Sequence, residues 1–203
     1  MFKVYGDIVS GNCYKVKLAL TQMQLPFEWV HVDIMRKESR TPQFLAMNPN
    51  GQIPLLQIDE QTFLPESNAI LHYLADGSPL LPQDRLEHAQ VLRWMCFEQY
   101  THEPNVATAR FIVRYLGRPV EREEMLVKKI AAGYEALAVM EAHLEREPFF
   151  VGGRYTIADI ALYAYTHVAH EGLFDLAPYT ALRAWLDRVK AQPRYIGMDH
   201  GSA

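Results

Sequence analysis

The chain has little of what a secreted scaffold, a membrane protein or a nucleic-acid binder needs. It holds two cysteines, Cys13 and Cys96, in 203 residues. That is too few for a disulfide framework, so a reducing compartment, the cytoplasm, is expected. No apolar run approaches the roughly 20 residues of a membrane-spanning helix. The N-terminus reaches Gly6-Asp7 before an apolar signal core can form, so no secretion signal is expected. Charge of one sign is also missing: 20 basic against 24 acidic residues leave a net charge of −4. Neither nucleic acid nor an anionic membrane is therefore an expected partner. Eight histidines include no paired metal spacing; His167 and His170 lie three apart, without a third ligand near them, so no metal is expected. The 49% hydrophobic residues exclude wholesale disorder. At roughly 150 residues per domain, the length allows one large domain or two small ones.

The two halves differ in period. Residues 1–77 read as short alternating elements. Phe2–Tyr5 is β-prone, Asn12 to Leu25 has helical spacing, and Phe27–Val32 is a second strand. Thr41-Pro42 opens a short helix with a hydroxyl cap and a first-turn proline. Pro54–Ile58 and Thr62–Leu64 read as a hairpin, and Glu66 or Ser67 opens the next helix. The order is βαβαββα, an α/β domain. Residues 78–83 have linker composition. Residues 84–203 are helical throughout: 84–114, 120–147, a helix capped by Thr156 and Asp159, and 179–192.

Three segments carry candidate chemistry. Ser10-Gly11-Asn12-Cys13 stands where the first strand meets the first helix. The unpaired N–H groups and positive dipole end of a helix start favour an anion there. Ser10 either caps the helix or donates to a bound thiolate. A C-x-x-C at this place would suggest dithiol chemistry, which Ser10 in the first sulfur slot rules out. In Asn48-Pro49-Asn50-Gly51-Gln52-Ile53-Pro54, a proline heads a strand. It is either an edge-strand proline or a cis one that leaves the Ile53 backbone to an extended ligand. In Pro65-Glu66-Ser67-Asn68, Glu66 and Ser67 are either plain caps or partners for the ammonium and carboxylate of one amino-acid terminus. The γ-glutamyl end of glutathione is such a terminus.

Together with Thr156-Ile157-Ala158-Asp159-Ile160, these segments, in this order, resemble the cytosolic glutathione S-transferase family over nearly the whole chain. The resemblance implies a thioredoxin-like N-terminal domain with a mixed four-stranded sheet, an all-α C-terminal domain lining an electrophile site, and a homodimer. It implies a role for Ser10 like that of the serine-type classes (theta, delta, tau). Ile53 would pair with the cysteinyl unit, with Pro54 cis, and Glu66 and Ser67 would anchor the γ-glutamyl end. Arg40 and Gln52 would lie toward the glycine end, where Gln52 stands in a place often held by lysine. Asp159 would be a structural cap.

The implied activity is conjugation of glutathione to a small hydrophobic electrophile, with glutathione as co-substrate and no cofactor. A glutathione-dependent peroxidase, reductase or isomerase is an alternative, as is a non-catalytic glutathione-binding protein. Tyr5, Asn12 and Cys13 rival Ser10 as the group touching the thiolate. Asn12 and His102 are candidates for the electrophile site: Pro104 is expected to kink the helix and leave His102 free to face the cleft, the other reading being a hydrogen-bonded interhelical histidine.

Overall fold

The computed structural model describes residues 1–198; His200 and the end of the helical stretch at 203 lie outside the described residues. Two compact units emerge. One joins Met1–Gly77 with residues 193–198; the other is Ser78–Gln192.

The first unit runs β1 (Phe2–Gly6), α1 (Gly11–Gln22), β2 (Phe27–His31), α2 (Pro42–Met47), β3 (Leu55–Gln57), β4 (Phe63–Pro65) and α3 (Ser67–Ala75). The sheet order is β2-β1-β3-β4. The β1–β2 pair is parallel, and the β1–β3 and β3–β4 pairs are antiparallel. Strand alternation sends neighbouring residues to opposite faces. Val4 and Leu56 therefore join Val16, Leu20, Ile70 and Leu74 of α1 and α3 in one core. Leu55 joins Val32 and Phe44 of α2 in the other, with Tyr5, Ile53 and Phe63 against it. This is the thioredoxin-like βαβαββα fold with a mixed four-stranded sheet. One boundary expectation changes. Residues 193–198, expected within the helical domain, cluster with the first unit, where the Tyr14 hydroxyl donates to the Ile196 carbonyl at 2.7 Å.

The second unit is helical: α4 (Arg85–Phe97), α5 (Glu103–Arg110), α6 (Glu123–Leu144), α7 (Ile157–Thr166) and α8 (Thr180–Lys190). The long helix expected over 84–114 is interrupted by π-helical turns at Glu98–His102 and Phe111–Tyr115. The first interruption ends two residues before Pro104, whose ring and missing N–H disturb the preceding turn. All ten residues of α7 are buried, as expected of a helix at the centre of its unit. Asp159 explains how it starts. Its carboxylate accepts from the Thr156 N–H (2.9 Å), the Thr156 hydroxyl (3.1 Å), the Phe150 N–H (3.2 Å) and Trp185 Nε1 (2.9 Å). Even with four donors, burial dominates and pushes its pKa up to about 6. No helix among the described residues is long and apolar enough to cross a membrane.

Candidate functional site

The first unit gathers its polar groups at the starts of α1 and α3. The loop after β1 is pinned by Asp7, which is buried. Its carboxylate accepts from the Val9 N–H at 3.1 Å, and its carbonyl accepts from the Ser10 N–H at 3.1 Å. Ser10, in extended conformation, is the N-cap of α1: its Oγ accepts from the Cys13 N–H at 3.4 Å. The cap and the donor readings are compatible. Capping uses a lone pair of the oxygen and leaves the hydroxyl proton to be given elsewhere. Beside it, the Cys13 thiol is wholly buried. Burial pushes its pKa up to about 12 against the opposing pull of the Ser10 hydroxyl and the Asp7 backbone. A neutral thiol is a weak acceptor and no nucleophile. Tyr5 is committed to the sheet: its hydroxyl donates to Gln57 Oε1 at 3.0 Å, and its ring meets the edge of Phe44.

The loop before β3 is shaped by Asn48, also buried. Its Nδ2 donates to the Gln52 carbonyl at 2.9 Å, and its Oδ1 accepts from the Asn50 N–H at 3.2 Å. Arg40 is exposed and gives Nη1 to the Asn50 carbonyl at 2.9 Å. A Cβ on Gly51, whose φ is +62°, would come within 2.6 Å of that nitrogen, so only glycine fits beneath the guanidinium. Gln52 is exposed. The Ile53–Pro54 peptide is cis, and Ile53 precedes the β3 ladder without a paired strand.

Glu66 precedes α3 at φ 71° and ψ 110° with no side-chain cap bond. A non-glycine residue there is strained, at a cost of about 1–3 kcal/mol, and such strain collects at functional sites. Ser67 begins α3 and donates Oγ to Asn12 Oδ1 on α1 at 3.2 Å. The structure thus brings Ser10, Asn12 and Ser67 to two adjacent helix starts, and Arg40, Gln52 and Ile53 to one loop.

The sequence pattern does not single out Asp7 or Lys15. Lys15 lies in phase with the apolar Leu18 and Ala19 on α1 and is wholly buried. Its Nζ reaches Ser67 Oγ at 3.3 Å and Asn68 Oδ1 at 3.5 Å. A lysine on the apolar stripe was the signal available. Of the two readings of His102, the structure takes the interhelical one and not the electrophile-site one: the ring is wholly buried in the second unit, with Nε2 3.0 Å from Thr166 Oγ1. Because Thr166 gives its only proton to the Leu162 carbonyl at 2.6 Å, His102 must donate. The interruption before Pro104 is taken up by the π-helical turn rather than by exposing the ring.

Residues 9–76 match the family described as "Glutathione S-transferase, N-terminal domain", and 94–193 match "Glutathione S-transferase, C-terminal domain". A glutathione S-transferase from Pseudomonas fluorescens Pf-5, known from its crystal structure, is 55% identical. That match covers 97% of this chain and 98% of the other, with a TM-score of 0.96. Glutathione S-transferase 3 of Zea mays is 32% identical over 95% of this chain and 90% of its own. Disulfide-bond oxidoreductase YfcG of Escherichia coli (strain K12) is 28% identical over 91% of this chain and 88% of its own. With both halves matched in order and relatives aligned across nearly their full lengths, the chain belongs to the glutathione S-transferase family of enzymes.

Proposed function

We propose that the protein binds glutathione along its first unit and holds the thiol as a thiolate for attack on a small hydrophobic electrophile. The observation that carries this reading is the Ser10 hydroxyl, which caps α1 through its oxygen and has a neutral, weakly accepting thiol beside it. A charged sulfur at the helix start outcompetes that neighbour. Ile53 offers its unpaired backbone to the cysteinyl unit. Ser67 and the N–H groups of α3 receive the γ-glutamyl carboxylate, and Glu66 the ammonium. Arg40 and Gln52 lie toward the glycine end. The protein works as a homodimer in the cytoplasm, with glutathione as co-substrate and no cofactor.

The energies needed are small. A thiol with a pKa near 8.5 is only about 3% ionised at pH 7, and lowering the pKa by roughly two units takes about 2.7 kcal/mol. A hydrogen bond to a charged group contributes about 1.5–3 kcal/mol. The helix dipole contributes about 0.3–1 kcal/mol. Together they suffice without a metal or a general base.

The test is Ser10→Ala, followed by the ultraviolet absorbance of the bound thiolate across pH and by conjugation of an aryl halide. The thiol pKa rises, conjugation falls more than tenfold and glutathione still binds. An unchanged pKa clears Ser10 of the role.

A second reading is favoured by the similarity to the E. coli disulfide-bond oxidoreductase. Here the bound thiolate attacks a small disulfide, joins one sulfur and releases the other as a thiolate; a second glutathione thiolate then attacks the glutathione sulfur of that mixed disulfide, forming oxidised glutathione and releasing the remaining substrate thiolate. Turnover of a dialkyl disulfide exceeding that of an aryl halide selects this reading.

A further inference from the structure

We propose, building on the reading that Ser67 meets the γ-glutamyl carboxylate, that Lys15 is a positioning residue for that carboxylate and acts through Ser67. A lysine wholly out of water is kept at a cost in stability. At this depth it touches no ligand. It ends instead against the first turn of α3, 3.3 Å from Ser67 Oγ and 3.5 Å from Asn68 Oδ1.

The direction of the bonds defines its role. An ammonium only donates, so Ser67 Oγ accepts from Lys15 and its own proton is aimed elsewhere. In this structure that proton goes to Asn12 Oδ1 at 3.2 Å. Asn12 and Lys15 stand three apart on α1 and so share one face of the helix. A hydroxyl that accepts a charge-assisted bond is polarised and gives its own proton more strongly. When a carboxylate arrives at the start of α3, the Ser67 proton swings from the Asn12 carboxamide to the carboxylate while Lys15 holds the oxygen in place. Lys15 thereby discriminates for a γ-glutamyl unit that carries its α-carboxylate.

The experiment is calorimetry on the full chain with two ligands: glutathione, and 4-aminobutanoyl-Cys-Gly, which lacks only that carboxylate. Lys15→Met removes a buried charge at similar volume, and Lys15→Gln keeps a neutral donor. Lys15→Met is expected to weaken glutathione at least tenfold and the analogue less than twofold, with Lys15→Gln between. In steady-state assays KM for glutathione rises about tenfold while kcat changes less than twofold. Equal weakening for both ligands, which a merely structural lysine would give, overturns the proposal, as does no weakening of either. If Lys15→Met does not melt cooperatively, Lys15→Gln decides by the same criterion, its loss confined to glutathione or not. Wild-type protein that fails to bind glutathione overturns the functional reading along with this proposal. Wild-type binding without discrimination in the variants overturns this proposal alone.

Discussion

Helix α7 and helices α1 and α3 begin with similar residues and very different degrees of satisfaction. At α7, Thr156 and Asp159 are both wholly buried, and one carboxylate takes four donors. At α1, a partly exposed Ser10 accepts one N–H at 3.4 Å. At α3, Glu66 makes no cap bond and holds a strained backbone. A helix start whose donors are all used can only contribute stability. One that leaves N–H groups and a hydroxyl proton uncommitted can accept an anion, at a cost in stability.

The largest expected effect lies at the closed start. Asp159→Asn turns an amide N–H₂ toward groups that are themselves donors, so at least one buried donor loses its acceptor. The loss is about 3 kcal/mol or more, at about 1.5–3 kcal/mol per bond to a charged group. For a chain of this size that lowers the melting temperature by roughly 10 °C. Glutathione affinity of the folded fraction stays the same. A loss of affinity at unchanged stability would break the contrast between closed and open helix starts. The pH dependence sharpens it. With the Asp159 pKa raised from 3.8 to about 6, the folded state holds an extra proton between those values. The stabilisation from this group is therefore complete below about pH 3.8 and is lost as the pH rises through about 6. His167 has the opposite sign. Burial lowers its pKa from 6.5 to about 4, so its stabilisation is present above pH 6.5 and lost on acidification to about 4. Denaturant melts between pH 4 and 6.5 should show a steeper rise of stability with pH in Asp159→Asn than in wild type.

How much of this the sequence discloses follows the same division. The order βαβαββα is legible because strand and helix periods switch cleanly at Pro26, Pro42 and Pro54. Ser10, Ile53, Glu66 and Ser67 are legible because a helix start or a strand proline announces itself locally. Lys15 is not, because its partner Ser67 lies 52 residues away. Its burial depends on α1 packing on α3, which no local pattern encodes. His102 stays open between its two readings for a related reason. A proline predicts a disturbed helix, but whether a ring then faces water or Thr166 is decided by a helix 64 residues on. The attachment of residues 193–198 to the first unit is likewise a tertiary fact, resting on Tyr14 and Ile196.

At the open starts, strain and function should separate in opposite directions. Glu66→Gly relieves the backbone at φ 71°. It should stabilise the fold by about 1 kcal/mol, after allowing for the greater freedom of glycine in the unfolded chain. The same change removes the carboxylate proposed for the γ-glutamyl ammonium, so glutathione affinity drops. Denaturant melts and calorimetry on one preparation measure both. A destabilised variant would show that the neighbours of Glu66, and not its own torsions, set the energy there.

The smallest effect belongs to Tyr5, the phenol nearest in sequence to the Ser10 loop. Tyr5→Phe deletes one half-buried hydrogen bond to Gln57 and keeps the ring against Phe44. The net loss is about 0.5–1.5 kcal/mol, the ordinary worth of a neutral hydrogen bond. Because that proton is already spent within the sheet, the pKa of bound glutathione should be the same in Tyr5→Phe as in wild type, while Ser10→Ala raises it. Titrating the thiolate absorbance of both variants side by side makes the comparison direct. A rise in Tyr5→Phe with none in Ser10→Ala would move thiol activation from the helix cap to the end of β1. The 3.4 Å contact at Ser10 would then be a helix cap and nothing more.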